Sequence, residues 1–386
     1  MLGSFTTVLA MTLLLPFLPL YVEQLGMHGH AAVVQWSAAA FAATYLAAGL
    51  VAPLWGLLAD RWGRKPILIR ASLGMALCMS LIGTVSNVWQ LVGLRLLAGF
   101  LGGYASGATV LVATQTPRGR SAWALGVLSS GIMAGNLAGP VLGGVLPPLI
   151  GIRRTFFLAG GLIFLSALAT IALIREAPRP PRAARAPLSW RDVPDRRLVM
   201  AMLGTGTLLT LANMSVEPII TVFMAQLVPA GRVTMMAGLA MSSAALGSVL
   251  AAPAVGRLAD RVGARPVVLS ALVGCALLLL PQALVTAGWQ LVLLRLLMGA
   301  ALAGLMPAIT SVVRHAVPER IAGQVLAWGI TTQYVGQVSG PMLGGAVGGH
   351  LGMRPVFLVT SAVMLAGAAV VWLVRPRDGA APPAAT

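Results

Sequence analysis

The sequence predicts an all-α integral membrane protein whose twelve transmembrane helices form two pseudo-symmetric six-helix bundles. The first observation is composition: of the 386 residues, 58% are hydrophobic and only 9% are charged. Such a chain has more apolar surface than one or two water-soluble domains can bury, so its solvent must be lipid. The second observation is an internal repeat, which divides the chain into two similar halves.

Two pairs of segments show the repeat most directly. Residues 56–66 (GLLADRWGRKP) return as residues 256–266 (GRLADRVGARP). At the same offset, residues 89–97 (WQLVGLRLL) return as residues 289–297 (WQLVLLRLL). Duplication inside a strongly apolar chain is typical of secondary transporters, whose two repeats surround a central site.

Twelve apolar runs, six in each half, are long enough to cross a bilayer, which takes about 20 residues. We place the predicted spans at residues 4–23, 34–58, 66–86, 88–111, 122–148, 153–175, 198–226, 233–257, 266–286, 288–312, 323–349 and 353–374. The predicted domains are an N-terminal bundle at 1–175, a cytoplasmic linker at 176–197, a C-terminal bundle at 198–374 and a cytoplasmic tail at 375–386. The first span lacks a small-residue cleavage pattern, so we expect it to be retained rather than removed as a signal peptide.

The net charge of +17 follows the positive-inside rule. With the N-terminus placed inside, twenty of the 26 Lys and Arg residues fall at the inner side and two fall within spans. The four outer ones are Arg153, Arg154, Arg232 and Arg354. The distribution of charge therefore predicts that both termini lie in the cytoplasm. It does not indicate a nucleic-acid partner.

The sequence shows no enzyme site, metal site or cofactor motif. The four histidines are scattered over loops and span ends, and no phosphate-binding loop of the Gly-x-x-x-x-Gly-Lys-Ser/Thr type is present. Cys78 and Cys275 lie in apolar spans without a second ligand nearby, so neither a disulfide framework nor a metal centre is indicated.

The loops at 56–66 and 256–266 are predicted gating elements. Glycine permits a sharp turn between two spans, and the acid of each loop can cap or pair a helix end of the neighbouring bundle. A topology anchor alone would explain the arginines but not the two acids. The predicted gating residues here are Gly56, Asp60, Arg61, Gly63, Arg64, Asp260 and Arg261.

Two further segments carry small residues at every fourth position, namely 135–144 (GNLAGPVLGG) and 336–345 (GQVSGPMLGG). Such a stripe lets another helix pack closely, and its proline adds a bend, so the segment can tighten one end of a bundle. Ordinary glycine-mediated packing is the alternative. The predicted gating residues here are Gly135, Gly139, Pro140, Gly143, Gly340 and Pro341.

On these motifs the chain resembles the major facilitator superfamily. The loops at 56–66 and 256–266 match its motif A. Residues 95–103 resemble its motif B, and Arg295 and Gly299 form a weaker match to the same motif in the second half. The resemblance implies the major facilitator fold and alternating access.

The direction of transport also comes from resemblance. Residues 135–144 and 336–345 resemble motif C, which is associated with exporters. Residues 16–26 (PFLPLYVEQLG) and 121–126 (SAWALG) are similar to segments of multidrug efflux proteins in the drug:proton antiporter branch. Proton-coupled export of drugs, without a cofactor, is what the resemblance implies.

Arg95 is a cation well inside a span, which is costly unless it faces a cavity or a partner. The resemblance implies that it takes part in proton coupling by biasing the protonation of a nearby acid. The structural alternative is that Arg95 bonds backbone carbonyls at a broken helix, and the same alternative holds for Arg295.

Only two of the nine acidic residues, Glu23 and Glu217, lie at membrane depth. Glu217 lies within the seventh span, where desolvation disfavours the charged carboxylate and would let it exchange a proton near neutral pH. Its structural alternative is a local hydrogen bond across the bend at Pro218. Glu23 is nearer the outer end of the first span and could snorkel. We predict proton coupling by Glu217, Arg95 and Glu23.

Aromatic, Met and polar residues at mid-depth are predicted to bind the substrate, because adaptable apolar walls with a few polar groups suit a promiscuous site. Each of them could equally serve helix packing. The candidates are Phe17, Tyr21, Tyr45, Tyr104, Met133, Asn136, Asn213, Met241, Gln333 and Tyr334.

The sequence thus predicts proton-coupled efflux of small amphipathic drugs by a monomer in a bacterial inner membrane. Its partners would be the drug, protons and membrane lipid, with no nucleic acid. Two alternatives stay open: a transporter of one metabolite, such as a sugar or an organic acid, and a non-transporting membrane receptor or scaffold. An organic-acid carrier would need interior cations around its site, and only Arg95 and Arg295 lie within spans.

Overall fold

The computed structural model describes residues 1–174, 176, 193 and 195–374, which form helices without a single strand. This confirms the predicted all-α class. Most of the predicted linker and the whole predicted tail lie outside the described residues.

The first half of the chain forms eight helices that make six spans. Two spans are broken: α1 and α2 meet at an angle of 54°, and α5 is separated from α6 by two glycines. The helices are α1 (Leu2–Leu13), α2 (Leu18–Gln24), α3 (His30–Trp62), α4 (Arg64–Ile82), α5 (Val88–Leu101), α6 (Tyr104–Gln115), α7 (Arg118–Ile150) and α8 (Ile152–Leu173).

The second half forms seven helices and repeats this order, with a broken span at the same place. The helices are α9 (Arg196–Met224), α10 (Val233–Val262), α11 (Ala264–Leu284), α12 (Gly288–Leu302), α13 (Leu305–His315), α14 (Glu319–Leu351) and α15 (Met353–Leu373).

Ten spans are long and apolar enough to cross a membrane, and the bent pair of α1 and α2 makes an eleventh. The remaining predicted span, 323–349, lies within α14, whose 33 residues reach about 50 Å at 1.5 Å per residue. This helix is more polar because it packs on α9 and α3 between the two halves. The fold is therefore the predicted twelve-helix arrangement.

Glycines in the repeated loops make the sharp turns that were expected of them. Gly63 ends α3 with a φ of 95°, and Gly263 ends α10 with a φ of 91°. Side chains other than glycine rarely adopt this backbone conformation. Consecutive spans can therefore reverse direction without an intervening loop.

Within each half, a row of glycines lets one helix pack closely against another. A Cβ atom on Gly143 of α7 would overlap the carbonyl oxygen of Leu13 in α1. In the same way, a Cβ atom on Gly344 of α14 would overlap the carbonyl oxygen of Ser215 in α9. The stripes therefore bring the backbones of these pairs into direct contact.

The two halves touch chiefly through α3 with α14 and α7 with α10. The charge pattern predicts which end of each span lies on the outer side of the membrane. We call that end the outer end and the opposite end the inner end. Two hydrogen bonds between described residues join the halves there: His30 Nε2 to Gly348 O at 3.2 Å, and Gln35 Nε2 to His350 Nε2 at 3.0 Å. Deeper along α10 and α7, Ser242 Oγ donates to Leu137 O at 2.7 Å.

At the opposite, inner end the same helices are apart. A Cβ atom on Gly126 of α7, Gly256 of α10 or Gly323 of α14 would meet no atom within 4 Å. Near the outer end, by contrast, a Cβ atom on Gly144 of α7 would lie 2.6 Å from the carbonyl oxygen of Thr234 in α10. The space between the halves is thus closed at the outer end and open at the inner end.

Candidate functional site

The carboxyl group of Glu217 lies on α9, two turns before the helix ends at Met224. The side chain is half-buried and makes no hydrogen bond with any described residue. The local bond across the Pro218 bend is therefore absent from this structure. Asn213 lies one turn away on the same face of α9, because residues four apart are neighbours on a helix.

Arg295 of α12 is a second ionisable side chain buried in the second bundle. Its side chain is 1% exposed, and its charge and that of Glu217 are close enough to interact. They do not form an ion pair within 4 Å. The recorded contact of the guanidinium is Nη1 to the Sδ atom of Met298 at 3.8 Å, while Nε and Nη2 are buried without a partner. Arg295 is therefore a buried guanidinium whose Nε and Nη2 donate to no described residue.

Arg95 occupies the corresponding place on α5 but has different partners. Its side chain is 2% exposed, its Nε donates to Ala40 O at 3.2 Å, and its guanidinium carbon lies 5.7 Å from the centre of the Phe41 ring. The Nη1 atom is buried without a partner. The structure thus places Arg95 against a backbone carbonyl of α3, which is unbroken at Ala40.

Two tyrosines connect these groups across the halves. Tyr45 of α3 is half-buried and is close enough to interact electrostatically with Arg95, Glu217 and Tyr334. Gly49, one turn along α3, lets Tyr334 of α14 approach, since a Cβ atom there would lie 3.0 Å from Tyr334 Cβ. We call Tyr45, Arg95, Glu217, Arg295 and Tyr334 the central polar cluster.

Glu23 is not part of this cluster. It is exposed near the end of α2, at the outer end of the first span. Arg95 and Glu217 both act electrostatically on Tyr45, whereas Glu23 lies apart from them at the outer end.

Other predicted substrate residues lie where the halves face each other. Asn213, Gln333 and Tyr334 are half-buried, and Met133 and Asn136 of α7 are exposed. At 100° per residue, Asn136 lies between the glycines that contact α1 and the Gly144 face that contacts α10. Such a position points toward the space between the halves.

Met241 of α10 is buried beside that space. It is 5% exposed and precedes Ser242, whose hydroxyl donates to Leu137 O across the halves.

Three predicted substrate residues instead lie inside the first bundle, which corrects their placement. Phe17 packs on Phe156 with ring centres 5.4 Å apart, and the Tyr21 hydroxyl donates to Ile82 O at 2.6 Å. The Tyr104 hydroxyl bonds the Thr170 hydroxyl at 2.7 Å. An aromatic side chain at mid-depth suits packing as well as binding, and its direction depends on how the helix is rotated.

The predicted gating loops are tied to their own bundles in this state. Arg64 Nη2 donates to Asp60 Oδ1 at 2.6 Å across the Gly63 turn. The Glu176 carboxylate accepts the backbone N–H groups of Arg64 and Lys65 at 2.8 and 2.7 Å. Free N–H groups at a helix N-terminus favour such an anion.

The second repeat has a reduced version of this arrangement. Ala264 stands at the position of Arg64, so the arginine partner of Asp60 has no counterpart. Asp260 and Arg261 are exposed. Arg265, at the position of Lys65, donates to the carbonyl oxygens of Val371 and Val374 at 2.8 and 2.5 Å.

The glycine–proline segments serve both kinds of packing. Gly135, Gly139 and Gly143 contact α1 within the first bundle, whereas the carbonyl oxygen of Pro140 meets Gly238 of α10 across the halves. Gly340 contacts α9 within the second bundle, as the alternative reading expected.

Some polar contacts were not predicted from the sequence. In the break after α5, Trp55 Nε1 donates to Phe100 O at 2.7 Å and Arg70 Nη2 donates to Gly102 O at 3.0 Å. The guanidinium of Arg70 lies 3.4 Å from the centre of the Trp55 ring. The signal that could have shown it is Arg70 itself, a cation at the seventh position of α4.

The electrostatic effect of Arg295 on Glu217 was not predicted either. In the sequence, Arg295 is only the weaker counterpart of Arg95 in the second repeat.

Comparison with known proteins gives a consistent family. The family described as Major Facilitator Superfamily matches residues 1–230 and again residues 202–386. The multidrug resistance protein MdtG of Enterobacter lignolyticus (strain SCF1) is 41% identical over 98% of this chain and 91% of its own length. MdtG of Dickeya zeae (strain Ech586) is 41% identical over 96% of this chain and 92% of its own length. These matches confirm the predicted resemblance.

Solved structures share the fold. A bacterial homolog of the human lysosomal transporter Spinster, in an inward-facing and occupied conformation, has a TM-score of 0.75 at 16% identity, covering 96% of this chain and 95% of its own. The nucleoside transporter NupG has a TM-score of 0.73 at 15% identity, covering 96% and 97%. At this identity the likeness concerns the fold alone.

Proposed function

Because this chain belongs to the major facilitator superfamily, we propose that it exports small amphipathic drugs across a bacterial inner membrane in exchange for protons. The full-length similarity to proteins named multidrug resistance protein MdtG supports the drug class. The protein would be a monomer surrounded by membrane lipid, with both termini in the cytoplasm. It would need no cofactor and catalyse no reaction.

One observation supports the proton coupling: Glu217 is a half-buried acid at membrane depth that makes no hydrogen bond with a described residue. Ionisable groups inside a membrane protein commonly mark a proton pathway because they are expensive to keep there. Among Glu217, Arg95 and Glu23, the geometry favours Glu217 as the proton carrier. Arg95 lies within the membrane like Glu217, whereas Glu23 lies toward the outer end of the first span.

The opening at the inner end supports the following order of steps in the transport cycle. A drug would enter from the inside and contact Tyr45, Asn213 and Tyr334 near the carboxylate. After reorientation, a proton arriving from outside would neutralise Glu217, weaken its hold on the drug and permit return to the inward-facing state. Moving one charge through the membrane potential supplies about 2.3 kcal/mol per 100 mV, before any pH gradient.

The test is uptake of an amphipathic dye by energised everted membrane vesicles. Wild type should accumulate the dye, a protonophore should abolish accumulation, and Glu217→Gln should lose at least about nine-tenths of it. The amide keeps the size of the side chain but cannot exchange a proton. Drug–drug counterflow without a gradient should survive in this variant.

A matched acid variant, Glu23→Gln, shows whether the loss is specific. Loss of accumulation in Glu23→Gln with survival in Glu217→Gln would move the coupling site to the outer end. No dye uptake or counterflow by the wild type would contradict drug export and favour a receptor or scaffold.

A second candidate, a carrier of one organic acid, is favoured by the buried arginines. Arg95 and Arg295 retain unpartnered N–H groups, and such donors suit a carboxylate. The same vesicles tested with a panel of cationic, neutral and anionic compounds distinguish the two. Uptake restricted to one metabolite acid would select the carrier, whereas uptake of unrelated compounds would select drug export.

A further inference from the structure

The second bundle buries two polar side chains against the same methionine sulfur, between the packed helices α11 and α12. Gln282 of α11 is 0% exposed, and its Nε2 donates to the Sδ atom of Met298 at 3.4 Å. Arg295 of α12 is also buried, and its Nη1 donates to the same sulfur at 3.8 Å. A thioether sulfur is only a weak acceptor. A polar site with weak internal contacts therefore lies inside the bundle, around Met298.

Three polar atoms at this site have no hydrogen-bond partner among the described residues. They are Oε1 of Gln282 and both Nε and Nη2 of Arg295. The amide of Gln282 is held in its orientation, because Nε2 also donates to Leu278 O at 3.0 Å. Unpaired polar groups are costly inside a membrane protein, and almost all buried polar groups have a partner. One acceptor and two donors at this site thus require a partner.

The first bundle lacks these residues. The repeat places Ile82 at the position of Gln282 and Ala98 at the position of Met298. Both are apolar, and the backbone carbonyl of Ile82 already accepts from the Tyr21 hydroxyl at 2.6 Å. The site around Met298 is therefore a feature of the second bundle alone.

The two buried arginines also differ in their access to a backbone carbonyl. In the first bundle, Arg95 Nε donates to Ala40 O at 3.2 Å. In the second bundle the corresponding carbonyl is Ala240 O, which instead accepts from the hydroxyl of Ser243 at 2.8 Å. Arg295 has no hydrogen bond to a described carbonyl. Its guanidinium consequently needs a partner that is not part of the backbone.

We propose that Gln282 and Arg295 bind buried water between α11 and α12. Water donates and accepts at once, so it can donate to Gln282 Oε1 while it accepts from Nε or Nη2 of Arg295. Buried waters typically make about three hydrogen bonds to polar groups that protein atoms leave unpaired. The bound water solvates a guanidinium that would otherwise be costly at membrane depth. This site does not depend on the proposed function.

The mixture of donors and acceptor selects water over an anion. A chloride ion or a carboxylate can accept from Arg295, but neither can donate to Gln282 Oε1. A ligand for both side chains must carry an O–H or N–H group as well as a lone pair. Water is the smallest molecule that has both.

The test is X-ray radiolysis of the full-length protein in detergent, followed by mass spectrometry. Radiolysis of a bound water releases a hydroxyl radical where the water lies, and the sulfur of Met298 contacts both polar side chains. Met298 should be oxidised to the sulfoxide at least about fivefold faster than Met79 and Met364. These two methionines are equally buried and accept no hydrogen bond from a described residue.

Two variants show whether Gln282 holds the water. Gln282→Leu removes the acceptor but keeps a side chain of similar size, so the oxidation rate of Met298 should fall at least about threefold. Ser361→Ala is the matched control. The hydroxyl of Ser361 is buried against α11 and already has a partner, Ala276 O at 2.8 Å, so its loss should leave the rate at Met298 unchanged.

Hydrogen peroxide added to the solution distinguishes bound water from access to bulk solvent. Because Met298 is 1% exposed, peroxide should oxidise it no faster than Met79. Slow radiolytic oxidation of Met298 in the wild type, or rapid oxidation by peroxide, would overturn the proposal. So would an unchanged radiolytic rate in Gln282→Leu or an equal loss in Ser361→Ala. None of these results depends on drug transport, so a failure of the proposed function is detected separately, in the vesicle assay.

Discussion

Gln35 and His350 hydrogen-bond across the two halves of the transporter, with 3.0 Å between the two Nε2 atoms. The Gln35 amide donates, so Nε2 of His350 accepts. Both residues lie at the outer ends of α3 and α14, where the halves are closed. This bond can exist only while the outer end is closed, so it stabilises the inward-facing state.

Replacing Gln35 with alanine should therefore favour opening at the outer end. Loss of a hydrogen bond worth about 0.5 to 1.5 kcal/mol shifts the ratio of the two states by roughly two- to tenfold. The measurement is the distance distribution between spin labels at Gln24→Cys and Gln226→Cys, both exposed and on opposite halves. The native thiols of Cys78 and Cys275 are buried and leave the labelling to the introduced ones.

Gln90→Ala is the matched control for this variant. Its side chain accepts from Ser86 N at 2.9 Å within the first bundle, so the distance distribution should stay as in the wild type. Equal distributions in Gln35→Ala and Gln90→Ala would contradict a role for the Gln35–His350 bond in closing the outer end.

Gly144→Ala should hinder closure by a steric route. Its Cβ atom would lie 2.6 Å from Thr234 O and 3.0 Å from Met235 Cα, both backbone atoms of α10. Overpacking of this kind costs about 1 to 3 kcal/mol, so the closed outer end should lose population and drug transport should slow. Gly126→Ala on the same helix meets nothing within 4 Å and should transport normally. Identical transport rates for the two variants would show that the halves do not approach at Gly144.

Trp55→Phe should destabilise the broken fourth span. The change keeps an aromatic ring for Arg70 but removes the N–H that bonds Phe100 O at 2.7 Å. The Phe100 carbonyl then keeps only the longer bond from Arg70 Nη1 at 3.4 Å. The free energy of unfolding, measured by thermal denaturation in detergent, should therefore fall by about 0.5 to 1.5 kcal/mol. Trp62→Phe, at a residue of α3 that is 60% exposed, is the control and should change stability little. A smaller loss of stability in Trp55→Phe than in Trp62→Phe would contradict a stabilising role of the Trp55–Phe100 hydrogen bond.

Tyr334→Ala and Tyr21→Phe should affect different properties. Tyr334 is half-buried between the halves, so its truncation should raise the drug concentration for half-maximal transport by about three- to tenfold, as expected when roughly 1 kcal/mol of contact energy is lost. Tyr21→Phe removes the hydroxyl bond to Ile82 O inside the first bundle and should lower stability without changing that concentration. A higher drug concentration for half-maximal transport in Tyr21→Phe, without such a change in Tyr334→Ala, would show that Tyr21 contacts the substrate.

The positions of the spans follow from local composition, which is why they could be predicted. Transfer of about 20 apolar residues into lipid is favourable wherever they lie in a fold. The predicted span 353–374, for example, falls on α15 at Met353–Leu373. The predicted span 323–349 is more polar than the others, and it lies within α14, which packs on α9 and α3.

By itself, then, the sequence determined the twelve-helix fold, the internal repeat, the family and the presence of a carboxyl group at membrane depth. Only the tertiary structure decided that Arg95 bonds Ala40 and that Phe17, Tyr21 and Tyr104 point into the first bundle. The physical reason is that insertion depends on the residues of one segment, whereas the direction of a side chain depends on how each helix is rotated against its neighbours. That rotation is fixed by contacts such as Gly143 against Leu13, between residues far apart in the chain.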